Sequence, residues 1–363
     1  MSEDNLSAVL HGVDDLRLEQ VPIPKPGPNQ VLVRVHTVGI CGSDVHFWTH
    51  GAIGSFVVKE PMILGHETSG VVSEIGSEVQ HLKVGDRIAM EPGLACKLCE
   101  HCKTGRYNLC PESRFFATPP TNGALSRFVV HDADFCFKLP DNLSFEDGAL
   151  IEPLSVAIHS CRRGNVQMGH RVLVLGAGPI GVLNMLTAKS VGAGKVVITD
   201  LDDGRLALAK KLGADATINV KGKSLEAVRA EIISALDGQQ PQVCIECTGV
   251  QPSIETAITT TKSGGVIVLV GLGADRVEIP IIESATREVD IRGTFRYVNW
   301  YVDHTLQCSS SFKTLSYPTA IELLSSGKLD LSGLTRAHYK LEETLEAFKR
   351  NRKADVMKVF IQC

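Results

Sequence analysis

An apolar run, Val172-Leu173-Val174-Leu175, leads straight into Gly176-Ala177-Gly178-Pro179-Ile180-Gly181, and a second run, Lys195-Val196-Val197-Ile198-Thr199, ends at Asp200. Alone, a glycine-x-glycine-x-x-glycine string is a weak signal. Here a strand precedes it, a helix-like run over residues 182–190 follows it, and an acidic residue stands about 20 positions on. That context predicts a dinucleotide site. Gly176, Gly178 and Gly181 let the backbone approach a pyrophosphate at a helix N-terminus, where unpaired N–H groups and the helix dipole favour anions. Asp200 is placed to accept the ribose hydroxyls and to repel a 2′-phosphate, so NAD is expected over NADP. Arg205 is a nearby cation that could meet a phosphate; its plainer reading is a solvated helix residue near the adenosine.

Further strand-like runs, Ala216-Thr217-Ile218-Asn219-Val220, Val243-Cys244-Ile245-Glu246-Cys247 and Gly265-Val266-Ile267-Val268-Leu269-Val270-Gly271, alternate with helical stretches. This alternation predicts an α/β fold with a doubly wound parallel sheet that binds its ligand at the carboxyl ends of the strands. Cys244-x2-Cys247 matches a redox spacing in form alone; it sits in an apolar strand and reads as packing. The uncharged span 172–188 contains Gly176, Gly178, Pro179 and Gly181, so a buried strand, turn and helix explains it better than a membrane segment.

The first half of the chain differs in texture. Val31-Leu32-Val33-Arg34-Val35 follows Pro22-Ile23-Pro24-Lys25-Pro26-Gly27-Pro28, which predicts β-structure with a proline-stiffened turn. Two strings then set a thiol, an imidazole and a carboxylate among glycines. They are Ile40-Cys41-Gly42-Ser43-Asp44-Val45-His46 and Leu64-Gly65-His66-Glu67-Thr68-Ser69-Gly70. Cys41, His66 and Glu67 suit a catalytic Zn²⁺, which takes three protein ligands and keeps a fourth position open. Cys96-x2-Cys99-x2-Cys102-x7-Cys110, on a loop with Gly93 and Gly105, predicts a closed, structural zinc site. Four unpaired surface cysteines would be the alternative, and the spacing argues against it.

With 363 residues, two domains are expected. Eleven cysteines, together with an acidic Met1-Ser2-Glu3-Asp4-Asn5 that lacks signal-peptide order, point to metal binding rather than a disulfide framework. A cytoplasmic location is the default expectation. The net charge of −4, without a Lys/Arg run, argues against nucleic acid and anionic membranes as partners.

The chain resembles the zinc-containing medium-chain dehydrogenase/reductase family, and within it the sorbitol (polyol) dehydrogenase branch. The resemblance covers nearly the whole chain. Gly65-His66-Glu67-x2-Gly70-x5-Gly76 fits the family's zinc signature. The branch is carried by Cys41-Gly-Ser-Asp-Val-His46, Lys103-Thr-Gly-Arg-Tyr-Asn-Leu109, Ala149-Leu-Ile-Glu-Pro-Leu-Ser155, Arg287-Glu-Val-Asp-Ile291 and Phe295-Arg296-Tyr297.

This resemblance implies a GroES-like β-rich catalytic domain over residues 1–160 and a Rossmann domain over 161–295. A return to the catalytic domain over 296–363 and a homotetramer or homodimer are implied as well. It makes Cys41, His66 and Glu67 look like the catalytic zinc ligands. Glu152 stands where ordinary alcohol dehydrogenases of the family have a second cysteine, and would hold the metal's water or approach the metal. Ser43 and His46 match the family's proton relay. Arg296 and Tyr297 match residues that contact polyol hydroxyls, and Phe47 stands where a substrate-contacting tyrosine is expected. Ile180, Asp200, Arg205, Val270, Gly271, Leu272, Thr294, Phe295 and Arg296 match cofactor contacts.

The activity implied is oxidation of a secondary alcohol of a polyol to a ketose, with hydride passing to NAD⁺. Another zinc alcohol or threonine dehydrogenase is the alternative within enzymes; a catalytically silent dinucleotide-binding protein is the alternative outside them. Each residue also has a plainer reading. Glu152 could be a solvated helix-start carboxylate, His46 a packed histidine, and Arg296 and Tyr297 ordinary surface residues.

The chain departs from the branch in three ways. Phe47 lacks the hydroxyl of a tyrosine. The four-cysteine set is complete, whereas some members of the branch lack that zinc. After Tyr297-Val298-Asn299 the branch runs almost directly into a helix, but here residues 300–315 intervene with no clear period. Trp300-Tyr301-Val302 must be encoded TGG-TAY-GTN, which contains the splice-donor-like GTAYGT, so the segment is either an extra loop or a translated intron.

Overall fold

The computed structural model describes residues 4–299 and 316–363; the segment 300–315 lies outside the described residues. The chain divides into two compact units. One comprises Met1–Glu152, Val298–Gly327 and Leu334–Cys363, and the other Pro153–Tyr297 with Lys328–Gly333.

The first unit is built around Gln30–Gly39, a strand whose alternation puts Val31, Val33 and Val35 inside and leaves Arg34 and His36 out of the core. Alternation with period two gives a strand one buried face. This strand pairs antiparallel with Glu67–Ile75, with Phe128–Asp132 and with Lys358–Gln362. The full sheet has seven strands, extended by Arg87–Met90 and Cys136–Lys138 on one side and Arg336–Lys340 on the other. Pairing in the central ladder sets Gly39 opposite both Glu67 and Phe360. Residues from opposite ends of the chain therefore meet across one glycine.

The second unit holds a six-stranded parallel sheet. Its spatial order is Ala216–Asn219, Lys195–Asp200, Arg171–Leu175, Val243–Glu246, Val266–Leu269, Asp290–Gly293. The order reverses beside Arg171–Leu175, which is the doubly wound pattern with its ligand crevice at the switch point. Val172, Leu173 and Val174 are fully buried, as expected of strands covered on both faces. The expected α/β class is therefore observed. Cys244 also sits as expected, inside Val243–Glu246, with its thiol pushed up to about 12 by burial. Among the described residues no helix is long and apolar enough to cross a membrane.

Candidate zinc and dinucleotide sites

Cys41 is the N-cap of the helix Gly42–His50, and Glu67 opens the strand Glu67–Ile75 directly after His66. These turns bring the ligand atoms of Cys41, His66 and Glu67 within 4.8 Å of one another. His66 and Glu67 are buried and Cys41 is half-buried. A buried group of one thiolate, one imidazole and one carboxylate fits Zn²⁺, and three protein ligands leave a coordination position for a small molecule.

Asp44 organises this corner. Its Oδ2 accepts the Cys41 N–H at 3.0 Å and its Oδ1 accepts the Gly65 N–H at 3.1 Å. Oδ1 also lies 3.3 Å from Nδ1 of His66, leaving the other ring nitrogen for the metal. A carboxylate behind a metal-binding histidine fixes its tautomer and raises its basicity. Burial works against a charged His66, but the Asp44 carboxylate and the Cys41 sulfur outweigh it and hold its pKa well above the usual imidazole range. Asp44 is not among the site residues expected from the sequence. The signal was present, since an acid at the third helical position after an N-cap is a capping-box pattern.

Lys358 is a second supporting residue of this corner. Its ammonium reaches the Glu67 carboxylate and the Ile40 carbonyl, the latter at 3.2 Å, with the side chain almost fully buried. Gly39 makes room for this pair. A Cβ there would lie 2.9 Å from Lys358 Cε and would collide with Glu67. No local pattern in the sequence marks Lys358, because only sheet pairing brings its strand beside Gly39.

The cysteines of the second cluster also converge. Cys96, Cys99, Cys102 and Cys110 hold their sulfurs within 4.8 Å of one another. Backbone N–H groups of Leu98 and Cys99 draw the Cys96 thiol down to about 7, while burial and the neighbouring sulfurs push Cys102 up to about 12. Four thiol ligands close the coordination sphere, so this site suits a structural ion. Next to it lies a buried polar hub. Tyr107 Oη donates to Oε1 of Glu91, Asn299 Nδ2 donates to Oε2, and the Asn299 N–H donates to Tyr107 Oη at 2.9 Å. Burial raises the Glu91 carboxyl to about 8 against the pull of these two donors, and the charge of Glu152 adds to the rise.

Comparison with known proteins now decides the family. Residues 27–141 match the alcohol dehydrogenase GroES-like domain family, and residues 179–313 match the zinc-binding dehydrogenase family. The sorbitol dehydrogenase of Bos taurus is 52% identical over 360 residues, covering 99% of this chain and 96% of that protein. The sorbitol dehydrogenase of Homo sapiens is 51% identical, also over 360 residues, with 99% and 96% coverage. The chain belongs to the zinc-containing medium-chain dehydrogenase/reductase family. Among solved structures, L-idonate 5-dehydrogenase from Escherichia coli superposes with a TM-score of 0.87 at 29% identity, covering 99% and 98% of the two chains. For 2R,3R-butanediol dehydrogenase from Bacillus subtilis the TM-score is 0.85 at 30% identity, covering 99% and 100%.

In this dehydrogenase the second unit carries the candidate dinucleotide residues. Gly178 caps the helix Pro179–Ser190, placing Ile180 and Gly181 in its first turn. A side chain at Gly181 would run into the Gly176 carbonyl, which explains why that turn requires glycine. Asp200, at the end of Lys195–Asp200, accepts the Ala177 N–H at 2.7 Å and the Leu201 N–H at 2.8 Å. Arg205 lies in the helix Asp203–Lys211, where its N–H is capped by Asp202 at 2.8 Å. Val270 and Gly271 follow the strand Val266–Leu269, each donating an N–H to the Glu246 carbonyl, and Leu272 beside them is exposed. Thr294, Phe295 and Arg296 follow Asp290–Gly293; Arg296 adopts a φ of 53° and stacks its guanidinium 4.6 Å from the Phe295 ring centre. A non-glycine residue at positive φ is held there by its surroundings. Tyr297 is buried.

The remaining predicted residues lie in the first unit. Ser43 and His46 are on the helix Gly42–His50, where His46 is exposed and stacks on His50 at 4.3 Å. Phe47 points the other way, into a core cluster with Trp48 and Leu64. Glu152 is buried within the helix Phe145–Arg163.

Proposed function

We propose that this enzyme oxidises a secondary hydroxyl of a sorbitol- or xylitol-like polyol to the ketone, passing the hydride to NAD⁺. The observation that carries the reading is the buried Cys41, His66 and Glu67 set, three ligands rather than four, in a chain half identical to sorbitol dehydrogenases. Zn²⁺ bound there supplies Lewis acidity, lowering the pKa of an alcohol so that it ionises near neutral pH.

The protein's own groups account for the rest. Asp44 fixes the ring of His66, and Lys358 balances the charge of Glu67 inside the core. Glu152 provides a second carboxylate, close enough to act electrostatically on Glu91 and Lys358. Ser43, in the first helical turn, begins a proton path that His46 finishes at the surface, as general base catalysis requires an exit for the proton. Arg296 and Tyr297 bind polyol hydroxyls. Phe47 offers none and packs into the core with Trp48 and Leu64. Gly176, Gly178, Ile180, Gly181, Asp200, Arg205, Val270, Gly271, Leu272, Thr294, Phe295 and Arg296 hold NAD. A cytoplasmic homotetramer or homodimer completes the reading.

The test offers sorbitol, xylitol, ribitol, threonine and ethanol with NAD⁺, following NADH absorbance with and without a zinc chelator. Chelator-sensitive turnover of the polyols alone is expected. Turnover confined to threonine or ethanol would overturn the reading in favour of another member of the family.

A further inference from the structure

The two stretches that border residues 300–315 are held together inside the first unit. Asn299 Oδ1 accepts the backbone N–H of Tyr317 at 2.9 Å, and Ser316 Oγ donates to the Val298 carbonyl at 2.8 Å. All four residues are buried, Ser316 and Tyr317 completely.

This is the geometry of a helix start. A capping side chain accepts the N–H of the second or third helical residue. The helix here is Ser316–Ser325, and Tyr317 is its second residue. Asn299 therefore caps a helix that begins with residue 316. Pro318 stands third, within the first turn where a missing N–H costs nothing. An N-cap ordinarily adjoins the first helical residue, yet 16 residues separate this pair in the sequence. Glu91 and Tyr107 pin Asn299 in the capping position from the other side. Natural insertions gather at exposed loop tips. This one interrupts a buried cap.

The genetic code is compatible with a splice at these borders, the donor string being forced by Trp300-Tyr301-Val302 and the acceptor requiring one of the two AGY codons at Ser316. A donor GT starting at the third base of the Trp300 codon leaves TG behind. Ser316 encoded as AGY supplies an acceptor AG and leaves Y. Joined in frame these bases read TGY, cysteine, and the chain becomes Asn299-Cys-Tyr317, shorter by 16 residues. Cysteine is close in size to the buried serine it replaces and is among the residues most often found fully buried.

We propose that residues 300–315 are no part of the working enzyme, whose chain passes from Asn299 to Tyr317 through a single cysteine, the longer form being a translated intron. Two measurements test this. Proteolysis and mass spectrometry of the protein from its natural source should give a peptide containing Asn299-Cys-Tyr317. Peptides from residues 303–313 would overturn the proposal. In parallel, a chain with residues 300–316 replaced by one cysteine, and another with one serine, are compared with the 363-residue chain. Each should unfold cooperatively, bind at least as much zinc and melt at the same or a higher temperature. Loss of fold or of zinc in both shortened chains, with the long chain intact, would equally overturn it. Mass, zinc content and unfolding do not depend on which alcohol the enzyme oxidises, so this proposal and the proposed function fail separately.

Discussion

The ammonium of Lys358 and the carboxylate of Glu67 meet in the core across Gly39, a position where any side chain would push them apart. The pair binds the last strand of the chain to the segment that carries two of the three candidate zinc ligands. Burying either charge alone costs several kcal/mol, so each side chain depends on the other.

Zinc offers Glu67 a second positive partner, which makes the cost of losing Lys358 depend on metal. Lys358→Met in metal-depleted protein should lose about 3–5 kcal/mol of stability, the usual penalty for stranding one charge of a buried pair. With zinc bound the loss should be clearly smaller. Urea denaturation of both proteins with and without chelator measures the difference; equal losses in the two states would show that Glu67 does not face the metal.

Asp44 sets the pH dependence of zinc uptake. Because the His66 pKa is held well above 6.5, the ring must shed a proton for metal to bind, so zinc affinity should keep climbing with pH beyond 6.5 until that raised value is passed. Asp44→Asn removes the largest influence that raises it. The climb should then level off at lower pH, and affinity at high pH should fall by roughly 10–100-fold, as for other carboxylates behind metal-binding histidines. Competition against a chromophoric chelator across neutral and alkaline pH reads both effects.

The dinucleotide half was the most legible part of the sequence, and its order on the page explains why. The run Val172-Leu173-Val174-Leu175, the glycines after it and Asp200 are neighbours in one βαβ unit, so local pattern alone specified the turn, the helix start and the acidic strand end. The two cysteine-bearing sites were legible for the same reason, since their spacing is itself geometry. Lys358 and Glu91 were not, because each acquires its role from a partner far away in the chain: Glu67 and Asn299 respectively. No window along the sequence contains those pairs. Asp44 falls between, readable as a helix cap but not as the support of His66 until the turn at Gly65 folds back on it.

Asp200 should govern cofactor choice. Its carboxylate would stand against the extra phosphate of NADP, and Arg205 is close enough in sequence to greet that phosphate once the repulsion is gone. Asp200→Ala is expected to lower kcat/KM with NAD⁺ and to raise the NADP⁺ to NAD⁺ ratio by at least about tenfold, or 1.4 kcal/mol. Steady-state kinetics with the two cofactors decides it. An unchanged ratio would remove Asp200 from the ribose site.

Glu91 should make the fold less stable as pH rises. Its folded pKa of about 8 lies far above the ordinary glutamate value, so the native state holds a proton that the unfolded chain has released. Where the native state binds more protons, stability falls with increasing pH. The window runs from about 4.5, where the unfolded carboxyl ionises, to about 8, where the folded one does. Glu91→Gln cannot ionise and should show no such fall. Its amide must offer an N–H where the carboxyl accepted from Tyr107 or Asn299, so it starts with one hydrogen bond fewer, a deficit of about 1–3 kcal/mol. The variant is therefore expected to be the less stable protein at pH 5 and to close the gap, or overtake, by pH 8. Denaturation midpoints measured across that range test the crossing trend. Parallel curves for the two proteins would mean that Glu91 is ionised in the fold throughout, with Tyr107 and Asn299 sufficient to hold its charge.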